Sequence, residues 1–242
     1  MAGAHPPGLK PRSAWDEFGQ GTFAILPAAI AVIPFALLLG ALAAQKGLSP
    51  LEVGLMSSLV FAGSSQMVAV DIWRDPAPWA LLGLTTLTIN LRHVMMGASL
   101  SLHLGGFRPW QRLLGVAFFA DEIWALAERR AAMGQLHPAY YAGLAALLYL
   151  NFICWSVVGA IVGPAIKDPE AWGFDFAFTA IFLGLIVGFW RGPGTAVVMA
   201  ASAVAAVITQ AQLGGVWHVI AGAIAGMLAA TLLSFWREEP KT

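Results

Sequence analysis

Charged residues are scarce in this sequence: Asp, Glu, Lys and Arg make up 11% of its 242 residues, against about 25% in soluble domains. Hydrophobic residues make up 59% and the mean hydropathy is +0.75, so there are too few polar groups to cover a water-soluble globule. The thirteen basic residues are balanced by thirteen acidic ones, which argues against a nucleic-acid-binding protein. The single cysteine, Cys154, excludes an internal disulfide.

Sequence motifs of enzymes are also missing. The five histidines are dispersed and form no HExxH pair, and there is no Walker A loop, no GxGxxG after a strand and no GxSxG. We therefore expect no catalytic residues, no metal and no cofactor. Without an ATP-hydrolysing domain, uphill transport by this chain would need an ion gradient or a separate motor subunit.

Long runs without charged residues indicate an all-α protein that crosses the lipid bilayer several times. A helical crossing needs about 20 mainly apolar residues, and the runs lack the polar–apolar alternation of barrel strands. We predict eight segments: 20–44, 52–70, 78–102, 110–127, 139–164, 173–190, 193–210 and 214–236. The fourth is short and carries two acids, so seven crossings remain an alternative if it, or the second segment, only re-enters the membrane.

The loop charges predict the orientation. With eight crossings, eight Lys and Arg residues lie on the side of the termini and four on the other side, so both termini are expected in the cytoplasm. Residues 1–19 and 237–242 are then cytoplasmic tails, and residues 20–236 form a single transmembrane domain. The N-terminal stretch lacks the features of a signal peptide.

The second segment contains a run that is a poor helix interior: Gly63, Ser64, Ser65 and Gln66. Non-helical backbone at membrane depth is tolerated only where it is buried in protein or lines a cavity. Transporters use such broken helices to present free N–H groups to an anionic substrate group. A tight packing site, with the serines bonded to the preceding turn, is the alternative.

A short internal echo accompanies this run. Residues 58–63 (SLVFAG) resemble residues 179–184 (TAIFLG), half a chain further on. Secondary transporters often consist of two related halves, here 20–130 and 139–236. A two-fold repeat, parallel or inverted, is therefore a further hypothesis.

Polar residues also interrupt the third segment, where Asn90, Arg92 and His93 fall within an apolar stretch. An intramembrane Arg costs ~2.5–3.5 kcal/mol on insertion scales and needs a partner. We expect Arg92 to pair with Asp121 or Glu122; the alternative is that the helix ends at Arg92, at the membrane interface. His93 is a candidate proton relay or a packing residue, and one of the two acids is a candidate proton carrier.

Four residues share one face of the fifth segment at a spacing of four: Asn151, Trp155, Gly159 and Gly163. Small residues at this spacing let two helices approach closely in lipid. Trp155 and Phe61 are candidates for the wall of an apolar substrate pocket. Plain helix packing explains the stripe equally well.

Several of these motifs together resemble the AzlC family of branched-chain amino acid permeases. The resemblance covers about residues 18–235 and rests on residues 61–66 (FAGSSQ), 90–93 (NLRH) with 96–99 (MGAS), and Asp121-Glu122. Pro27, Pro34-Phe35, Gly40 and 47–49 (GLS) also fit. The family usually has Thr-Asp-Glu in the third motif, whereas this chain has Ala120-Asp121-Glu122.

The resemblance implies an exporter of the branched-chain amino acids Val, Leu and Ile in the bacterial cytoplasmic (inner) membrane; Met is a further candidate substrate. It also implies a separately encoded, small hydrophobic membrane partner of the AzlD type. On this hypothesis, Gly63–Gln66 bind the substrate carboxylate, and Asp121 or Glu122 binds the ammonium group or a coupling proton. Phe61 and Trp155 contact the aliphatic side chain, and Asn151 is a further binding residue. Asn90, Arg92 and His93 hold the polar network of the site in position. A channel or exporter for another solute, or a non-transporting assembly subunit, are the alternatives.

Overall fold

The structure, a computed structural model, describes residues 13–165, 183, 187, 190, 192–213 and 217–237. Every regular element in these ranges is helical, which confirms the all-α class. The elements are α1 (Ala14–Gln45), α2 (Pro50–Val60), α3 (Gly63–Asp71), α4 (Trp79–Ser101), α5 (Pro109–Ala117), α6 (Asp121–Met133), α7 (Pro138–Val162) with a 3₁₀ turn (Gly163–Ala165), α8 (Pro193–Leu213) and α9 (Trp217–Arg237). The two predicted tails, the sixth segment and the 179–184 echo lie wholly or mostly outside the described residues.

The chain divides into two compact units. The first comprises Met1–Pro78 and Asn90–Lys167, and the second comprises Trp79–Ile89 and Asp168–Thr242. In the second unit α8 packs against α9, where a Cβ added at Gly222 would lie 3.2 Å from the carbonyl oxygen of Ser202. The polar residues singled out above all belong to the first unit.

Three described helices are long and apolar enough to cross a membrane: Ala14–Gln45, Pro138–Ala165 and Pro193–Leu213. α1 begins at a capping box, in which Ser13 and Asp16 exchange hydrogen bonds. Pro27 and Pro34 lie inside α1 without ending it, as is common for prolines in membrane helices. α4, with 23 residues, is about 34 Å long and also exceeds the hydrocarbon thickness.

α1 and α7 pack tightly and run parallel. A Cβ added at Gly21 would collide with the backbone of Tyr140, and one added at Gly159 would collide with the backbone of Leu37. The contacts thus progress along both helices in the same direction, so both helices start at one face of the unit. We call this end, where Glu17, Arg130 and Tyr140 lie together, the first face, and the opposite end the second face.

α2 and α3 form a hairpin that starts and ends at the second face. Lys46, just after α1, donates through Nζ to the carbonyl oxygen of Asp71, the last residue of α3, at 2.8 Å. The turn between the two helices lies mid-depth, because a Cβ at Gly63 would approach the ring of Phe35 in the middle of α1 to 2.7 Å. With 11 and 9 residues, the helices are about 16 and 13 Å long, roughly half of a 30 Å hydrocarbon core.

α5 and α6 form a second hairpin, which starts and ends at the first face. Along α4 and α6, Arg92 pairs with Asp121 and His103 pairs with Glu128, so these helices run side by side in the same direction. α6 then reaches the first face, where Arg130 binds both carboxylate oxygens of Glu17 at 2.9 and 3.0 Å. α4 ends at the same face, which places the start of α5 there too.

The predicted second and fourth segments are thus each two short helices that fold back. The count of seven or eight crossings is not confirmed. Among the described helices, α1 and α7 of the first unit have full membrane length, and so does α4, whose residues 79–89 belong to the second unit. The order long helix then hairpin occurs twice, in α1–α3 and α4–α6. Each hairpin opens with a Pro, Pro50 or Pro109, and a Phe-Ala pair precedes its second helix (61–62 and 119–120).

Candidate functional site

The tips of the two hairpins meet at Arg92, on α4. Its guanidinium Nη2 donates to the hydroxyl oxygen of Ser64 at the start of α3, at 2.6 Å. Its Nη1 lies 2.9 Å from a carboxylate oxygen of Asp121, the first residue of α6. The ion pair expected from the sequence is therefore present with Asp121 as the acid, and the helix does not end at Arg92.

Side-chain hydrogen bonds stabilise the break between α2 and α3. Phe61 has a left-handed backbone (φ 42°, ψ 47°), which is rare outside glycine. The side chain of Gln66 spans the break: its Oε1 accepts from the N–H of Ala62 at 3.1 Å, and its Nε2 donates to Ser57 at 3.4 Å. Both polar partners are buried, so the amide replaces backbone bonds lost at the break.

Ser65 connects this break to α4. Its hydroxyl donates to the carbonyl oxygen of Ala62 at 2.9 Å and accepts from Nδ2 of Asn90 at 3.2 Å. Ser65 is 1% exposed. The sequence hypothesis that the serines bond back to the preceding turn thus holds for Ser65, whereas Ser64 is engaged by Arg92.

The break between α5 and α6 comprises Phe118, Phe119 and Ala120. Ala120 provides no side-chain cap for α6, just as Ala62 provides none for α3. The ring of His93 packs edge-on against Phe119, with centroids 5.7 Å apart. The acids Asp121 and Glu122 occupy the first turn of α6, where they complement the positive helix end.

Tyr149 on α7 lies between the two breaks. Its ring contacts Phe61 of the first break at 5.1 Å and Phe118 of the second at 4.8 Å, both edge-on. Its hydroxyl donates to the carbonyl oxygen of Ser58 at 3.0 Å. Sequence reasoning missed Tyr149, since a lone aromatic residue in an apolar helix gives no signal that distinguishes this position from ordinary packing.

Three buried polar atoms around Arg92 find no partner among the described residues: Oδ1 of Asn90, Nε of Arg92 and Nε1 of Trp124. Buried polar groups are nearly always hydrogen-bonded, so each such atom calls for a ligand or water. One of the three is an acceptor and two are donors. The first N–H groups of the uncapped helix α3 add further donors.

The stripe on α7 faces α1. Nδ2 of Asn151 donates to the carbonyl oxygen of Ala29 at 2.9 Å, and Gly159 and Gly163 contact α1 backbone. These contacts favour the packing interpretation of the stripe. The half-buried Trp155 lies further along α7 than the Phe61 contacts, Tyr149 and Phe152; its role in binding stays a prediction.

A groove of about 930 Å³ runs between α5 and α7 within the first unit. Arg108 and His137 line it together with apolar and aromatic residues, and its lining includes Phe118 and Tyr149. The groove therefore connects the neighbourhood of the first face with the aromatic residues beside the two breaks.

Two half-length hairpins that meet at a polar centre define a polytopic helical membrane protein built on discontinuous helices. The chain belongs to the AzlC family, because the family profile, described as AzlC protein, matches residues 27–166. No solved structure matches the chain.

Three similar proteins illustrate the relationship. The chain is 26% identical to "Inner membrane protein YgaZ" of Escherichia coli (strain K12), over 97% of this chain and 98% of that protein. It is 27% identical to an "Uncharacterized membrane protein" of Archaeoglobus fulgidus, over 92% and 96% of the two chains. It is 26% identical to "Branched-chain amino acid transport protein AzlC" of Bacillus subtilis (strain 168), over 60% and 56%.

Proposed function

We propose that the protein is a secondary transporter that exports branched-chain amino acids across the bacterial cytoplasmic membrane, driven by the proton gradient. The observation that carries this proposal is the meeting of two uncapped helix N-termini at Arg92 and Asp121. Discontinuous helices of this kind bind charged substrate groups in transporters. The name of the Bacillus subtilis relative supports the choice of substrate.

The centre offers complementary groups for a free amino acid. The N–H groups at the start of α3, the Ser64 hydroxyl and Arg92 are donors for the carboxylate. Asp121, Glu122 and Oδ1 of Asn90 are acceptors for the ammonium group. Phe61 is the proposed contact for the aliphatic side chain; its burial at the first break beside Tyr149 supports this role.

The revised topology still favours a cytoplasmic N-terminus. Four described basic residues lie at or near the first face, namely Arg108, Arg112, Arg129 and Arg130, against Lys46 and Arg74 at the second face. An excess of Lys and Arg in short loops marks the cytoplasmic side. The first face is therefore assigned to the cytoplasm in this proposal, and the N-terminus with it.

A small hydrophobic membrane protein of the AzlD type is the proposed partner, on the strength of the family resemblance alone. Transport assays should therefore include it. Counterflow of labelled leucine into vesicles that contain both proteins is the direct test: preloaded unlabelled leucine should drive uptake of the label, with competition by valine and isoleucine.

The variant for this test is Ser64→Ala/Ser65→Ala, which removes both hydroxyls at the start of α3. We expect at least a tenfold loss of leucine counterflow with normal amounts of protein in the membrane. Ser58→Ala is the matched control, because that hydroxyl donates only within its own helix, to Leu55. Wild-type counterflow in the double variant would refute the proposed carboxylate site. Counterflow of a different solute, without counterflow of leucine, would refute the proposed substrate.

A further inference from the structure

A second ionisable cluster lies between α4 and α6, toward the first face. The two carboxylate oxygens of Glu128 have different partners: Oε1 accepts from the hydroxyl of Ser99, and Oε2 lies 3.4 Å from Nε2 of His103. About a quarter of the Glu128 side chain is exposed, and about two fifths of that of His103 (23% and 39%). One oxygen is thus held by a hydroxyl donor, while the other faces an imidazole, which can accept or donate a proton.

This cluster stands in register with the central ion pair. Arg92 and Ser99 on α4 are seven residues apart, and so are Asp121 and Glu128 on α6. Seven residues are two helical turns, so each pair shares one helix face and its members are about 10.5 Å apart along the axis. The two contacts, Arg92 to Asp121 and Ser99 to Glu128, are therefore two levels of a single α4–α6 seam.

Trp124 lies on the same face of α6, between the two acids. It follows Asp121 by three residues and precedes Glu128 by four. Its indole Nε1 is buried and has no acceptor among the described residues. A buried donor of this kind is typically satisfied by water, and a water at this level would shorten the gap between the acids.

We propose that Ser99, Glu128 and His103 form a proton-exchange station that connects the Arg92–Asp121 centre to the cytoplasm. This inference rests on the proposed function. A proton leaves the carboxyl group of Asp121 through water beside Trp124 and binds the Glu128 carboxylate. Glu128 then passes it to Nε2 of neutral His103, and the imidazolium releases it to water at the first face.

The charges around Glu128 are consistent with this role. Arg130, two residues on, is committed to both carboxylate oxygens of Glu17 on α1 and to the ring of Tyr140 on α7. Arg129 is exposed. Among the described residues, His103 is the ionisable group that contacts Glu128, and no Lys or Arg there forms an ion pair with this carboxylate.

The hairpin α2–α3 has no equivalent acid. A shift of 58 residues aligns the two Phe-Ala pairs and also aligns Glu128 with Val70 and His103 with Gln45. The station is therefore confined to the hairpin that opens at the first face. This asymmetry is what a one-sided path from the centre to one compartment requires.

The experiment compares two modes of transport in vesicles that contain the full chain and its small partner. Leucine counterflow at equal pH needs no net proton release, whereas accumulation driven by a pH gradient does. For Glu128→Gln we expect counterflow within twofold of wild type, and at least a tenfold loss of gradient-driven accumulation and of leucine-coupled proton flux, read with a pH-sensitive dye. Arg129→Gln, a charge change at the neighbouring position, should leave both modes unchanged.

A second variant separates proton transfer from packing. His103→Ala should slow gradient-driven transport about tenfold, and added imidazole buffer on the His103 side should restore at least half of the rate. Three results would each refute the proposed proton-exchange station. They are wild-type coupling in Glu128→Gln, equal loss of both transport modes in both variants, and no rescue of His103→Ala by imidazole. Failure of wild-type protein to catalyse counterflow would instead refute the proposed function on which the station rests.

Discussion

Arg92 donates to Ser64 across 2.6 Å, and this bond links α4 to the tip of the first hairpin. Because the same guanidinium also pairs with the tip of the second hairpin, one side chain on a continuous helix holds two discontinuous ones. Charged groups at this depth are costly unless paired. The contact therefore ties the position of both tips to a single residue.

The pairing of Arg92 with Asp121 can be tested with a double-mutant cycle. Arg92→Ala leaves Asp121 without its cation, and Asp121→Asn leaves Arg92 without its anion, so each single variant should lose transport and thermal stability. Removing one partner leaves the other charge without its counter-ion, which costs more than replacing both. We expect the double variant to lose less stability than the sum of the two single losses. Thermal melting in detergent measures these losses. Strictly additive losses would show that the pair is energetically irrelevant.

The hairpins predict which loops share a side of the membrane. In a Cys154→Ser background, single cysteines at Lys46 and Arg74 should react with an impermeant maleimide from one side, and cysteines at Arg108 and Met133 from the other. Eight crossings would instead place positions 46 and 74 on opposite sides, and likewise 108 and 133. Labelling of each pair in intact cells and in inverted vesicles distinguishes the two topologies.

The α1–α7 interface predicts a contrast between two glycines. Gly159→Ala should destabilise the protein by ~1–3 kcal/mol or more, because its new methyl group would collide with the Leu37 backbone, which cannot move aside as a side chain can. Gly19→Ala on α1 meets nothing within 4 Å and should be neutral or stabilising, since Ala favours helices by ~1 kcal/mol. Thermal melting in detergent compares them; equal melting temperatures would contradict the close packing.

Gln66 predicts a graded response at the first break. Gln66→Leu leaves the buried N–H of Ala62 without its acceptor, which typically costs ~1–3 kcal/mol. Ser57→Ala keeps this acceptor and removes only the 3.4 Å contact of the amide Nε2, so we expect a smaller loss. If both variants melt like the wild type, the amide does not stabilise the break.

Much of the polar centre could be predicted from the sequence, because groups that conflict with lipid stand out against an apolar background. Arg92 needs a partner anywhere in a membrane core, and the available acids nearby were few. The Gly-Ser-Ser run at 63–65 likewise predicts a break; the structure has the break just before this run, at residues 61–62, and residues 63–65 form the first turn of α3. Both predictions follow from local chemistry and require no knowledge of the packing.

The hairpins could not be predicted in the same way. A 20-residue apolar run has the same hydropathy whether it crosses the bilayer once or turns back at mid-depth. The second break, Phe118–Ala120, contains neither Gly nor Pro, so the usual breaker signal is missing. Its one local sign is Asp121-Glu122, a pair of acids typical of a helix start. Tertiary contacts, such as Lys46 to Asp71, decide the direction of each short helix.

The opposite entry points of the two hairpins have a mechanical consequence. In the proposed transport function, a substrate bound between the two tips is separated from each compartment by one short hairpin. Moving one hairpin by a few ångströms would open the site to one compartment, while the other hairpin keeps it closed to the opposite one. Alternating access of this kind needs no large rearrangement of the long helices.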